Sequence, residues 1–176
     1  MILCPVCGAS NMEGLDHCEQ CENSLSDLHL PPPGSELERS LYTDRIRLLW
    51  PRKPVAVAPQ TPVAEVLKIL VTNTIGCVMI VEEHRIIGIF TERDALLKLN
   101  VQACEFGERP ISDFMTANPQ MLGVNDKIAF AVQRMDLGGY RHVPIVDEQQ
   151  QLVGVISVRD ILQYLMQKIA TLSPPA

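Results

Sequence analysis

Two short stretches of the chain carry residue types that could bind a phosphorylated ligand. They cover residues 88–94 and 154–160, lie 66 positions apart, and share the pattern glycine, apolar, any residue, Thr/Ser, any two residues, Asp. A helical pattern follows each, so the hydroxyl is expected at a helix N-cap with the carboxylate three residues on. The N–H groups of a helix start suit phosphate, and a nearby carboxylate can accept hydrogen bonds from a ribose diol. A single copy would be interpreted as a helix cap that binds nothing, but two copies favour a binding role for Thr91, Asp94, Ser157 and Asp160.

Four of the six cysteines form a second chemically meaningful group. They occur as two C-x-x-C pairs, and two such turns can close a tetrahedral site of the kind that holds structural zinc. A closed set of four thiolates leaves no coordination position for a substrate. Two disulfides or a redox dithiol are the remaining alternatives. The predicted zinc ligands are Cys4, Cys7, Cys18 and Cys21, within a ribbon-like module of residues 1–28.

The charge and hydropathy of the chain disfavour several kinds of partner. The chain has 176 residues and a formal net charge of -6, and its first 30 residues contain no lysine or arginine. Nucleic-acid phosphates require the opposite charge, so a protein contact or a structural role is expected for the metal module. No apolar run approaches the length of a membrane span, and residues 1–3 lack the basic start of a signal peptide. We therefore expect a cytoplasmic protein without a membrane segment.

The elements that must position these residues follow a proline-rich stretch at 30–35. A helical pattern at 35–50 ends at Trp50, which is expected to be a packing anchor. Two similar halves come next, each with a short strand, a helix, two strands around a tight turn, and a helix that begins at the motif. The expected organisation is a zinc ribbon at 1–28, a linker at 29–40, repeats at 41–104 and 105–170, and a tail at 171–176.

These features together resemble a tandem pair of cystathionine-β-synthase (CBS) domains, also called a Bateman module. The resemblance covers roughly residues 41–170 and rests on the two motifs, on Arg-His-Val-Pro-Ile-Val-Asp at 141–147, and on Asp-Phe-Met-Thr at 113–116. The first half departs from the pattern at 76–79, where the usual Val-Pro is missing, and at 48–51, where the usual lead-in is replaced. The resemblance implies an α/β (α+β) fold in which two β-α-β-β-α repeats pack about a pseudo-two-fold axis.

The resemblance also implies two clefts between the repeats, in which adenosine nucleotides often bind. In the first cleft the implied contacts are Thr91 and Asp94, with Arg141 and His142 reaching across from the other half. In the second cleft they are Ser157 and Asp160. The adenine would lie against the first strand of each half, near Ala58 and near Leu122. The first cleft has the better supply of cations and is expected to be the stronger site. The family commonly forms flat dimers, so a homodimer is expected.

The function predicted from these observations is regulatory. The pair would bind AMP, ADP or ATP and relay its occupancy to a protein partner through the zinc ribbon or the dimer surface. One alternative is a scaffold of ribbon and repeats that binds no nucleotide, and a weaker one is a nucleic-acid-binding ribbon protein. An enzyme is not expected, because the sequence offers no nucleophile–base pair, no phosphate-transfer loop and no open metal site.

Overall fold

The computed structural model describes residues 2–4, 9–12, 15–23, 25, 34–100 and 105–172. The N-terminal module begins with two short antiparallel strands, β1 (Ile2–Leu3) and β2 (Ser10–Asn11). Helix α1 (Glu36–Thr43) follows, and the Ser35 hydroxyl caps it by accepting a hydrogen bond from the Glu38 N–H. No helix in the described part of the chain is long and apolar enough to cross a membrane.

The first repeat is built on a four-stranded sheet in the order β3-β4-β5-β6. The first pair is parallel and the other two are antiparallel. The strands are β3 (Ala56–Val57), β4 (Cys77–Glu82), β5 (Arg85–Thr91) and β6 (Thr116–Ala117), and the helices are α2 (Val63–Asn73) and α3 (Glu92–Asp94), which continues as a π-helical turn, Ala95–Leu99.

The second repeat has a three-stranded sheet in the order β7-β8-β9, with a parallel pair followed by an antiparallel pair. Its elements are β7 (Leu122–Gly123), α4 (Ile128–Gly138), β8 (His142–Val146), β9 (Leu152–Ser157) and α5 (Val158–Leu172). Helix α4 ends where Gly139 takes a left-handed conformation, as a helix C-cap favours. The predicted β-α-β-β-α order is confirmed in both halves.

The segment that precedes the first strand of each repeat pairs with the other repeat. These lead-in segments are residues 51–54, before β3, and 115–118, before β7. Strand β6 belongs to the second lead-in segment but pairs with β5 of the first repeat. Arg52 belongs to the first lead-in segment and forms an antiparallel bridge with Val155 in β9 of the second. The exchange brings each lead-in segment beside the motif of the other repeat.

Each repeat has its own aliphatic core, and the two sheets meet between them. Phe90, Ile80 and Val66 are buried in the first core. The second core includes Ile46 and Leu49, which lie before β3, the first strand of the first repeat. A further cluster joins the sheets, with Cys77, Met79 and Ile89 of the first against Leu152 and Val155 of the second. Residues 46–49 are therefore anchored on the second repeat.

The helical pattern predicted at 35–50 is interrupted, and the expected role of Trp50 is wrong. After α1, a 3₁₀ turn covers Ile46–Leu49, and Trp50 closes it in a left-handed conformation with φ 52°. Its side chain is 83% exposed. Leu49 faces the second core, so the backbone must turn sharply at Trp50 to bring Arg52 alongside β9. The apolar anchors of this segment are Ile46 and Leu49 instead.

Candidate functional site

The first motif forms the predicted N-cap at its helix start, and in the second motif the aspartate carboxylate reaches back to the serine before the helix. The Thr91 hydroxyl accepts a hydrogen bond from the Asp94 N–H at 3.1 Å, and Asp94 Oδ2 accepts one from the Thr91 N–H at 3.0 Å. In the second motif, Asp160 Oδ2 accepts from the Ser157 N–H at 2.7 Å and from the Ser157 hydroxyl at 2.6 Å. One carboxylate oxygen of each aspartate is therefore used for local structure.

The motifs differ in what holds the other carboxylate oxygen. Asp94 Oδ1 accepts from Lys98 Nζ at 2.8 Å, one helical turn on, and from the Thr116 hydroxyl at 3.1 Å. Burial raises the pKa of Asp94, but hydrogen bonds from Lys98 and Thr91 outweigh it and leave that pKa below its usual value. Asp160 Oδ1 instead faces the Arg52 guanidinium at 3.0 Å. The first aspartate is satisfied mainly within its own repeat, and the second depends on a cation from a lead-in segment.

A cavity of about 370 Å³ lies between the repeats at the second motif. Its wall carries four cationic side chains, from Arg52, Lys53, Arg141 and Arg159, and two carboxylates, from Glu92 and Asp160. Apolar surface comes from Val55, Ile75 and Ile156. The cavity thus combines a positively charged region, a carboxylate and an apolar wall. These three surfaces are complementary to the phosphate, the ribose hydroxyls and the base of a nucleotide.

The predicted grouping of the cationic residues requires a correction. Arg141 and His142 line this cavity together with Ser157 and Asp160, whereas Thr91 and Asp94 are not among its lining residues. Strand β8 pairs antiparallel with β9 in a register that places His142 directly opposite Ser157. The two ends of one hairpin must lie side by side, so Arg141 and His142 belong with the motif of their own repeat.

The two positions predicted to contact adenine also lie elsewhere. Ala58 is exposed beyond the end of β3, and Leu122 is buried in the second core. Leu122 lines a different cavity, of about 620 Å³, between the N-terminal module and the second repeat. The apolar wall of the 370 Å³ cavity is formed by Val55, which enters β3, and by Ile75, which precedes β4.

His142 is held at the junction of the two repeats. A Cβ added at Gly76 would lie 2.6 Å from Cε1 and Nε2 of the His142 ring, so only glycine permits this approach. Among the described residues, His142 Nδ1 is buried without a hydrogen-bond partner. Burial lowers the pKa of His142, opposed by the charges of Glu92 and Asp160. A neutral imidazole with a buried, unsatisfied nitrogen is thus held beside the cavity.

The cysteine cluster has the geometry of a metal centre. The sulfurs of Cys4, Cys18 and Cys21 all lie within 4.8 Å of one another, and Cys4 Sγ is 3.6 Å from Cys21 Sγ. Tetrahedral zinc with bonds of about 2.3 Å places its sulfur ligands about 3.8 Å apart, so the three positions fit that ion. The fourth predicted ligand, Cys7, lies outside the described residues.

Several residues of the cavity wall were not predicted from the sequence, namely Arg52, Lys53, Gly76 and Glu92. Glu92 could have been predicted as a site residue, because it directly follows Thr91 in the motif. Gly76 could have been found from the β4–β5 hairpin, since Cys77 pairs with Thr91 and the Glu92 N–H donates to the Gly76 carbonyl at 3.1 Å. No sequence motif near Arg52 and Lys53 marks them as site residues, because they reach the second repeat only through the exchange of lead-in segments.

Comparisons of sequence and of structure with known proteins point to the same family. The family model for the CBS domain matches residues 50–100 and 111–167. A CBS-domain containing protein from Agrobacterium tumefaciens is 28% identical, with a TM-score of 0.63 over 69% of this chain and 98% of that chain. A CBS domain protein from Pyrobaculum aerophilum, complexed with AMP, is 26% identical, with a TM-score of 0.63 over 73% of this chain and 99% of that one.

An uncharacterized protein of Chlamydia trachomatis is 31% identical over 138 residues, which cover 76% of this chain and 42% of that protein. The chain spans between 20% and 68% of the length of the first curated relatives it matches.

Proposed function

The chain belongs to the CBS domain family, and from that premise we propose that it is a regulatory module that binds an adenosine nucleotide in the 370 Å³ cavity. The observation that carries the proposal is the placement of the Asp160 carboxylate among four cationic side chains at the start of a 15-residue helix. The AMP complex of the Pyrobaculum relative supports the same ligand class.

The proposed contacts follow from the chemistry of the wall. Asp160 Oδ1 is the oxygen that a ribose diol can approach, because Ser157 occupies Oδ2. The start of α5 and the guanidinium groups of Arg141 and Arg159 provide donors for phosphate. Val55 and Ile75 provide an apolar surface against which adenine can stack. The neutral His142 can donate or accept one further hydrogen bond.

We propose one ligand per chain, bound at the second motif. Asp94 already accepts hydrogen bonds from Lys98, Thr116 and Thr91, and a ribose diol would have to displace two of these donors. The helix that follows Thr91 has only three α-helical residues, so its N-terminus is a poor phosphate site. This reverses the expectation that the first cleft is the stronger one.

A binding role is proposed in preference to catalysis. Cys77 is the thiol on the cavity wall, and burial together with the charge of Glu92 raises its pKa to about 12. A thiol with that pKa stays protonated at neutral pH and is a weak nucleophile. Steady turnover of ATP that is lost in an Asp160→Ala variant would overturn this part of the proposal.

The N-terminal module is proposed to bind zinc and to relay occupancy to a protein partner. Cys21 and Glu22 face Arg134 and Tyr140 of the second repeat across the 620 Å³ cavity. This proximity supports a module that is coupled to the second repeat. Occupancy-dependent relay would be seen as a nucleotide-induced change in hydrogen exchange within residues 15–23 of the zinc-loaded protein, and no change there would contradict it.

A homodimer is proposed on the basis of helix α5. Leu162, Met166 and Ile169 are all at least half exposed and share one helical face. An exposed apolar stripe of this kind is typical of an interaction surface. Light scattering on the intact protein would test the proposal, because Met166→Glu should convert a dimer into a monomer.

The nucleotide proposal is tested by calorimetric titration of the zinc-loaded protein with AMP, ADP, ATP and S-adenosylmethionine. The expected result is saturable binding of at least one phosphorylated ligand with one site per chain. Absence of binding by all four would support the alternative of a scaffold that binds no nucleotide.

A further inference from the structure

The 370 Å³ cavity contains an ion pair at the carboxylate oxygen that a ribose would use. Arg52 Nη2 lies 3.0 Å from Asp160 Oδ1, and the aspartate side chain is 8% exposed while the arginine side chain is 61% exposed. Asp160 Oδ2 is already engaged by Ser157. A ligand diol that binds this carboxylate must therefore compete with the guanidinium for Oδ1.

The backbone of Arg52 is fixed, whereas its side chain has room to move. Its N–H donates to the Val155 carbonyl and its carbonyl accepts from the Val155 N–H, both at 3.0 Å. The preceding residue, Pro51, packs directly against Gly154. The Cα of Arg52 therefore stays on β9 while the largely exposed guanidinium can rotate. A long flexible side chain on a fixed Cα can exchange one anionic partner for another without any change in fold.

We propose that Arg52 discriminates between phosphorylated and unphosphorylated ligands by exchanging partners: it pairs with Asp160 in the empty site and with a ligand phosphate in the occupied one. This inference rests on the proposed function and specifies the ligand class as a nucleotide rather than a nucleoside. A nucleoside that binds Asp160 breaks the ion pair and leaves the guanidinium without an anionic partner. A nucleotide breaks the same pair and offers phosphate oxygens that match the guanidinium geometry.

The test compares adenosine with AMP by calorimetry on the intact zinc-loaded protein and its Arg52→Gln variant. Removal of the competing cation should increase the affinity for adenosine by about threefold, which is the scale of an exposed ion pair. AMP gains the same threefold from loss of the ion pair but loses a charge-assisted hydrogen bond to phosphate, worth about tenfold, so AMP binding should weaken by about threefold overall. The preference for AMP over adenosine should therefore fall by about tenfold.

Lys53→Gln is the matched control. Lys53 is the next residue, lines the same cavity and carries the same charge, while the ion pair to Asp160 comes from Arg52. This variant should leave adenosine binding unchanged and weaken AMP by no more than about threefold, as screened electrostatics at longer range predicts. Arg52→Lys retains a mobile cation and should recover most of the AMP preference, which also guards against misfolding as the cause of a loss.

Two outcomes would overturn the inference while leaving nucleotide binding intact. One is an unchanged AMP preference in Arg52→Gln, as equal weakening of adenosine and AMP would give. The other is identical effects of Arg52→Gln and Lys53→Gln. If the unaltered protein binds neither AMP nor the other nucleotides, the proposed function itself fails. The two failures are therefore distinguishable.

Discussion

The segment that precedes Arg52 contacts the second repeat through a partly buried side-chain hydrogen bond, among other contacts, and its removal should be measurable. The Tyr164 hydroxyl donates to Asp44 Oδ2 at 2.8 Å, and Lys168 Nζ lies 2.8 Å from the same oxygen. Tyr164 is buried, and 120 residues separate it from Asp44 in sequence. We predict a pronounced coupling between Asp44→Ala and Tyr164→Phe in the free energy of unfolding.

The magnitudes follow from what each change removes. Tyr164→Phe removes a hydrogen bond to a charged acceptor that keeps its lysine, so the expected cost is about 1.5 kcal/mol. Asp44→Ala removes the partly exposed ion pair and leaves a buried hydroxyl without a partner, for about 2.5 kcal/mol. In the double variant, Tyr164→Phe removes a hydroxyl that Asp44→Ala has already left without its partner, so it adds no cost and the total should stay at about 2.5 kcal/mol. The coupling is then about 1.5 kcal/mol.

The pH dependence of the Asp44→Ala effect has a definite sign. Burial raises the pKa of Asp44, but the hydrogen bonds from Lys168 and Tyr164 and the charge of Lys168 leave it below its usual value. A carboxylate with a lowered pKa in the folded state stabilises the protein above its unfolded-state pKa. That contribution is lost as the pH falls through the folded-state pKa. The stability difference between the unaltered protein and Asp44→Ala should thus be constant from about pH 6 to 8 and shrink below about pH 4.

The assay is urea unfolding of the zinc-loaded protein at pH 7, followed by circular dichroism. Asp44→Ala should also lower the midpoint of thermal unfolding by about 5–10 °C. Additive effects of the two substitutions, with a coupling near zero, would refute the contact.

Three further predictions concern the cavity and the metal centre. Gly76→Ala places a Cβ 2.6 Å from the His142 ring, so it should weaken AMP binding by about tenfold in calorimetry, on the scale of overpacking. Asp94→Asn should cost about 1–2 kcal/mol in urea unfolding at pH 7, with the loss shrinking below about pH 4 because the folded-state pKa of Asp94 is lowered. Cys21→Ser should reduce bound zinc from one ion per chain to near zero in a metal assay.

Local patterns predicted the repeats well. The Thr91 cap, the strand pairs around each tight turn and the helix that follows Ser157 are confirmed by the structure. These features depend on residues within a few positions of one another. Hydrophobic periodicity and capping chemistry are therefore sufficient to locate them.

The composition of the cavity could not be predicted, because it depends on contacts between distant segments. Arg52 reaches Asp160 over more than 100 residues, and nothing near either position in sequence marks the pair. The placement of Arg141 and His142 was predictable in principle from the β8–β9 hairpin register. The resemblance to the family instead led to a prediction that placed both residues in the other cleft. The exposure of Trp50 likewise follows from the path that the chain must take to β9.

The most direct test of the central claim compares Asp160→Asn with Asp94→Asn in calorimetric titrations with AMP. Both substitutions remove one carboxylate from the same motif position and keep the side-chain shape. If the cavity at the second motif is the nucleotide site, Asp160→Asn should weaken AMP by about tenfold or more, and Asp94→Asn should leave the affinity within about twofold. Equal losses in both variants, or a loss in Asp94→Asn alone, would contradict the assignment.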